Sequence, residues 1–341
     1  MNDEELVRTA AAMVAEGKGI LAIDESTGTC KKRFEAVGVE STEENRRAYR
    51  GMLLTTPGLS DHISGAILFD ETIRQAADDG KTFVDHMRKA GILPGIKVDR
   101  STHALAGHDG EKITEGLDGL RGRLEEYARL GARFAKWRAV ITIGDGIPTR
   151  SCLYSNAHAL ARYAALCQEA GLVPIVEPEV LMDGDHSLDD CYDVTEATLH
   201  AVFEQLYEHN VLLEGTILKA SMVISGSEAS DRADVSQVAE ATVGCLLNAV
   251  PAALAGVVFL SGGQGDVEAT EHLDAINRLG GLPWPVSFSY GRALQSPALA
   301  TWAENPSGNV AAAQHKLAHR ARMNGLAAMG RYEASMEEAA G

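Results

Sequence analysis

Three lysines stand where strand-forming sequence normally excludes them: Lys97 in GIKVD, Lys136 in RFAKWRAV and Lys219 in GTILK. A buried ammonium must be paired or neutralised, so an apolar run that carries one is unusual. Carboxylates stand at comparable depths. Asp24 ends ILAID, Asp99 ends GIKVD, and Glu177 and Glu179 flank Pro178 where LVPIVE finishes. One of these glutamates suits a proton shuttle and the other a partner for a lysine. Structural ion pairs, or edge lysines turned to water, would explain one such lysine. Three, with acids at equivalent depth, point to a reactive site. Lys136 and Arg138 are two residues apart and so share one side of a strand. With no acid between them in sequence they should repel, which predicts an anion between them.

Glycine-bearing turns supply the second constellation. They are Leu260-Ser261-Gly262-Gly263-Gln264-Gly265 and Ser289-Tyr290-Gly291-Arg292. Glycine lets backbone N–H groups close around phosphate oxygens, and Arg292 can add a bidentate contact. Ser26-Thr27-Gly28-Thr29, with Arg33 beyond it, could grip a second phosphate at the opposite rim. His103, His108 and Asp183-Gly184-Asp185-His186 lack ligand spacing on a regular element, so they read as solvated loop and no metal site is expected. Asp78-Asp79 before Gly80 reads as a turn, and Tyr127, Phe134 and Trp137 read as core.

These residues need a frame that gathers strand ends. Eight short apolar runs recur along the chain: 20–24, 65–69, 95–99, 133–140, 172–177, 215–219, 256–260 and 285–289. Their near-continuous apolar character suits strands covered on both faces. Helical patterns alternate with them at 42–54, 117–130, 155–169, 193–208 and 268–279. Ser41-Thr42-Glu43-Glu44 reads as a capping box, and Gly131, Gly171 and Gly280 as helix stops. Eight strand–helix units predict an α/β fold, a single (β/α)8 TIM barrel. G-x-G-x-x-G is absent after the first strand, which argues against a doubly wound sheet. The barrel is expected over residues 1–332, with 333–341 a short acidic tail, loosely ordered.

The formal net charge of −17 excludes nucleic acid as a partner. It also means that a phosphorylated ligand needs cations gathered locally, which the turns and strand lysines provide. No run of 18 apolar residues is present, so no membrane span is expected. The acidic N-terminus matches neither a secretory signal nor a transit peptide. Five scattered cysteines without Cys-x-x-Cys spacing read as buried thiols of a reducing compartment. Cytoplasm is the expected location.

At these same residues the chain closely resembles class I fructose-bisphosphate aldolase. The likeness runs from about Gly17 to Tyr332 and rests on GILAIDESTGT, TEENRRAYR, ILFDETI, GIKVD, FAKWR, VPIVEPE, LEGTILK, FLSGGQ and SYGRALQ. The resemblance implies a lyase, usually a homotetramer, without metal or cofactor. It cleaves fructose 1,6-bisphosphate reversibly to dihydroxyacetone phosphate and glyceraldehyde 3-phosphate, in glycolysis and gluconeogenesis. By position within the motifs, Lys219 matches the Schiff-base lysine and Glu177 the general acid/base. Asp24, Lys136 and Glu179 match the surrounding catalytic network. Ser261, Gly262, Gly263, Ser289, Gly291 and Arg292 match the C1-phosphate site; Ser26, Thr29, Arg33 and Lys97 match residues near the C6 phosphate.

Physical chemistry is consistent with those roles. An ordinary lysine is protonated at neutral pH and not nucleophilic; burial and a second cation, Lys136, are expected to favour the neutral amine at Lys219. Three departures from the family pattern carry expectations. Ala220 follows the lysine where proline is typical, predicting a less rigid loop. Ile23 stands where a smaller residue is usual. Many members close a mobile tail on a tyrosine that assists enamine protonation, whereas the last tyrosine here is Tyr332; this bears on the preference for the bisphosphate over fructose 1-phosphate. The rival readings are a barrel isomerase or metal-dependent aldolase on the same sugars, a non-catalytic phosphosugar scaffold, and an aldolase preferring sedoheptulose 1,7-bisphosphate.

Overall fold

A computed structural model describes residues 3–340. Eight parallel strands close on themselves: β1 (Gly19–Ile23), β2 (Ile63–Leu68), β3 (Leu93–Lys97), β4 (Phe134–Ile141), β5 (Val173–Val180), β6 (Ile217–Ala220), β7 (Gly256–Phe259) and β8 (Val286–Tyr290). Each pairs with its sequence neighbours, and β8 returns to β1. The expected (β/α)8 barrel is therefore present, as are all eight expected strands. A small antiparallel hairpin, Thr102–Ala104 with Lys112–Thr114, sits between β3 and β4. It takes His103 onto a strand, where the sequence suggested loop.

Strand alternation sorts the residues. One parity (Leu21, Ile96, Trp137, Val176, Leu218, Phe259) belongs to the main core shared with the surrounding helices. The other points inward, and Ile20, Ile67, Phe134, Val173, Ile175, Ile217 and Val258 form a separate cluster inside the barrel. Leu6, Ala10 and Met13 of the N-terminal helix Asp3–Met13 join that inner cluster, so the helix plugs the end where the strands begin. The inner floor is tight: a Cβ on Gly95 would stand 2.2 Å from the Phe134 ring, a separation only a hydrogen atom can fill.

Local signals differ from the sequence reading in three places. The helix Glu43–Leu54 is capped by Thr42, whose hydroxyl accepts from the Asn45 amide; the oxygens of Ser41 instead accept from Arg46. The segment after Lys219 is pinned, although proline is absent. Ser221 Oγ donates to the Val180 carbonyl at 2.8 Å, and the Val223 amide to Thr242 Oγ1 at 2.9 Å. Residues 334–340 form 3-10 turns whose Glu337 carboxylate accepts from His319, Arg320 and Tyr332. A buried arginine is the reason: Arg320 is 3% exposed and needs a counter-charge. Among the described residues no helix is long and apolar enough to cross a membrane.

Candidate active site

The inward parity that builds the apolar floor carries the chemistry one or two steps further along each strand. Phe134 is followed by Lys136 and Arg138; Val173 and Ile175 by Glu177 and Glu179; Ile217 by Lys219; Ile20 and Ala22 by Asp24. The barrel therefore changes from apolar to ionic at one level, toward the strands' C-terminal ends.

At that level four side chains, each at most 12% exposed, form one ionic chain. Lys136 Nζ lies 2.7 Å from Asp24 Oδ2 and 3.2 Å from Glu177 Oε2. The other oxygen of Glu177, Oε1, lies 3.1 Å from Lys219 Nζ. Burial alone would lift the Asp24 carboxyl, but attraction to Lys136 and Lys219 overrides it and holds the pKa at about 2. Burial likewise opposes ionisation of Glu177, and Lys136, Lys219 and Arg138 keep it below the usual glutamate value. Burial should strip Lys136 of its proton, yet Asp24 and Glu177 push its pKa above the ordinary lysine range.

This geometry corrects one sequence inference. Acids from other strands do interleave Lys136 and Arg138, because Arg138 pairs with Glu179 while Lys136 is held by Asp24 and Glu177. The pair needs no anion of its own. Lys219 likewise faces a carboxylate, with Glu177 between it and Lys136. Farther out, Lys97 is held by Asp99 at 2.6 Å, and Arg33 pairs with Glu25.

All of these residues line one cavity of about 650 Å³, together with Ser26, Thr29, Ser261, Gly262, Ser289, Gly291 and Arg292. Of the site residues expected from sequence, only Gly263 is outside the wall. It carries the loop, with φ of 104° beside Gly262 at 53°, and its missing Cβ would stand 3.8 Å from Arg292 Nη2. Seven Lys and Arg face five Asp and Glu in this wall, an excess of positive charge inside a chain of net charge −17. Lys32 and Arg292 make up the excess: among the described residues neither has an ion-pair partner. Ser289 Oγ is buried and also lacks a hydrogen-bond partner among them. Free cations, an unused hydroxyl and the glycine turns at Gly262 and Gly291 give this wall the chemistry to receive an anion.

Lys32 was not singled out by sequence. The stretch from Thr27 was read as a turn, whereas it opens the helix Thr27–Glu35 with Ser26 as its cap. Thr29, Lys32, Arg33 and Ala36 all line the cavity, which is the i, i+3, i+4, i+7 spacing of one helical face. Glu25 was missed because its partner, Arg33, lies eight residues on and is brought back to it by the helix. His186 lies in an irregular loop, as expected, but it is buried. Among the described residues no group of three or more His, Cys, Asp or Glu could hold a metal ion.

Comparison with known proteins bears on this arrangement. The family model described as Fructose-bisphosphate aldolase class-I matches residues 5–341. A protein of Xanthomonas campestris pv. campestris named "Probable fructose-bisphosphate aldolase class 1" is 64% identical over 333 residues, covering 98% of this chain and all of that protein. "Fructose-bisphosphate aldolase 4, cytosolic" of Arabidopsis thaliana is 52% identical over 330 residues, with 96% and 84% covered. Among solved structures, the aldolase of Plasmodium falciparum, in complex with TRAP and a small-molecule inhibitor, superposes with a TM-score of 0.96. It is 49% identical, and the match covers 98% of this chain and 97% of that one.

Proposed function

The chain belongs to the class I fructose-bisphosphate aldolase family, and on that premise we propose how its barrel performs the reaction. The chain is a lyase that cleaves fructose 1,6-bisphosphate reversibly to dihydroxyacetone phosphate and glyceraldehyde 3-phosphate. The observation that carries the mechanism is the Glu177 carboxylate, with one oxygen on Lys219 and the other on Lys136.

Glu177 Oε1 takes a proton from Lys219 Nζ across 3.1 Å, and the freed amine attacks C2 of the open-chain ketose. Glu177 returns that proton to the departing C2 hydroxyl, and water leaves an iminium ion on Lys219. The iminium is an electron sink next to C3. Glu177, ionised again, takes the C4 hydroxyl proton; the C3–C4 electrons move into the iminium and leave an enamine, and glyceraldehyde 3-phosphate departs. Asp24, its pKa held low by Lys136 and Lys219, is an acceptor at neutral pH, so it orients the C4 hydroxyl while Lys136 fixes its position. Protonation at C3 and hydrolysis of the iminium return Lys219 and release dihydroxyacetone phosphate. Electrophilic stabilisation comes from the iminium, the service a metal ion gives elsewhere.

Ser261, Gly262, Ser289, Gly291 and Arg292 are proposed to take the C1 phosphate, with Gly263 shaping the loop. Ser26, Thr29, Arg33 and Lys97 are proposed at the C6 end, and Lys32 joins them from the same helical face. Arg138 acts on Glu179 more directly than on phosphate. The proposed setting is the cytoplasm and the proposed assembly a homotetramer, to be checked by sedimentation against the 36.3 kDa chain mass.

The test of the reaction class is cleavage in excess EDTA. Turnover is expected to stay within about twofold of the untreated rate, since the electron sink is a lysine adduct. Loss of cleavage that returns only with a divalent cation would overturn the reading.

A further inference from the structure

Gln295 is 3% exposed and lies outside the cavity wall, one turn into the helix Arg292–Glu304 that begins with the cavity's free arginine. Both ends of its amide are used. Nε2 donates to the Ala22 carbonyl at 2.6 Å and to Glu25 Oε1 at 2.8 Å. Oε1 accepts from the Tyr49 hydroxyl at 3.2 Å. The Glu25 oxygen reached by Gln295 is the same one that pairs with Arg33. The Glu25 carbonyl is in turn held by Arg50 Nη2 at 2.6 Å. The Arg33 guanidinium reaches toward the turn after β8, for the missing Cβ of Gly291 would stand 3.5 Å from the Ala22 oxygen and 3.9 Å from Arg33 Nη2.

A buried primary amide is a costly way to fill space, because each unmet donor or acceptor carries a desolvation penalty. Here its hydrogen bonds run from the helix behind Arg292 to the carboxylate that aims Arg33. Glu25 without Gln295 keeps Arg33 as its side-chain partner but loses the bond that fixes the carboxylate to the frame. Arg33 would then swing with it.

We propose that Gln295 is a positioning residue that sets Arg33 for the far phosphate of the substrate by clamping Glu25 to the helix that carries Arg292. The inference rests on the reading that the Arg33 end of the cavity receives that phosphate.

Two substrates separate the possibilities: fructose 1,6-bisphosphate, and fructose 1-phosphate, which lacks the far phosphate. Gln295→Met keeps the approximate volume and removes both donors. It is expected to raise KM for the bisphosphate about tenfold, the effect of losing one hydrogen bond to a charged group. The kcat/KM preference for the bisphosphate over the monophosphate should narrow by about the same factor. Tyr49→Phe, which frees the amide oxygen without touching Glu25, should narrow it in the same direction by about threefold, and serves if Gln295→Met does not fold. Arg33→Ala is the control for the underlying reading. If Arg33→Ala narrows the preference while both other variants leave it unchanged, or depress both substrates alike, Gln295 has a packing role only and the inference is overturned. If Arg33→Ala also leaves the preference unchanged, the far phosphate does not bind at that end, and both the reading and the inference fall.

Discussion

Replacing Lys219 with methionine abolishes cleavage, lowering kcat by about 10⁵-fold or more while the barrel stays folded. The size follows from losing a covalent route outright, since removal of a covalent nucleophile elsewhere costs five to six orders of magnitude. Methionine fits the site because the lysine stem is already buried, and Glu177 keeps Lys136 as its counter-charge. The phosphate-binding walls are untouched, so the variant should still bind the ketose bisphosphate. Coupled detection of triose phosphate measures the rate, and calorimetric titration measures binding. A variant retaining more than about 1% of the turnover would show that the electron sink lies elsewhere.

Lys136→Met is the second large effect, and it couples activity to stability. Lys136 is the shared counter-ion of Asp24 and Glu177, at 2.7 and 3.2 Å. Without it both carboxylates are buried close together, with Lys219 as the cation left in contact. Breaking a buried pair from one side costs about 3–5 kcal/mol, and misplacement of both acids should lower kcat by about 10³-fold. The pH dependence has a definite sign. The Asp24 pKa is depressed in the folded state to about 2, so Asp24 stabilises the fold above the unfolded carboxylate range, and that stabilisation is lost as pH falls toward 2. The variant loses the largest cause of that depression. Its stability deficit against the wild type is therefore greatest near pH 7 and shrinks as pH falls toward 4, where the stranded carboxyls can protonate. Urea unfolding at the two pH values measures this. An equal deficit at both would mean that Lys136 acts through packing and not through charge.

Much of this architecture could be read directly from the chain. A strand run that ends on or carries a charged residue announces two things at once: a buried element and a reactive level toward its C-terminal end. That is why ILAID, RFAKWRAV, VPIVE and GTILK yielded both the barrel and its ionic centre. Pairing was not legible. Lys136 and Arg138 look like two unopposed cations along one strand, whereas Glu177 and Glu179 arrive by pairing with β5 and Asp24 arrives across the barrel from the end of β1. The same holds for Glu25, in the wall, and Gln295, behind it, which are 270 residues apart in sequence. Lys32 was hidden for a different reason. Ser26-Thr27-Gly28-Thr29 carries turn residues, yet Ser26 works as a helix cap, and a capped helix exposes a different set of side chains than a turn does. Ala220 shows the limit of substitution logic. Proline would stiffen one peptide unit, but Ser221 and Val223 already tie that segment to Val180 and Thr242.

The most direct test is chemical trapping. Borohydride added with dihydroxyacetone phosphate should reduce the imine in place, and peptide mapping by mass spectrometry should find one three-carbon phosphate adduct per chain, on Lys219. Borohydride without the ketose phosphate should leave the enzyme active. An adduct on Lys97, Lys136 or any other amine, or no adduct in protein that is turning over, would contradict the account at its centre.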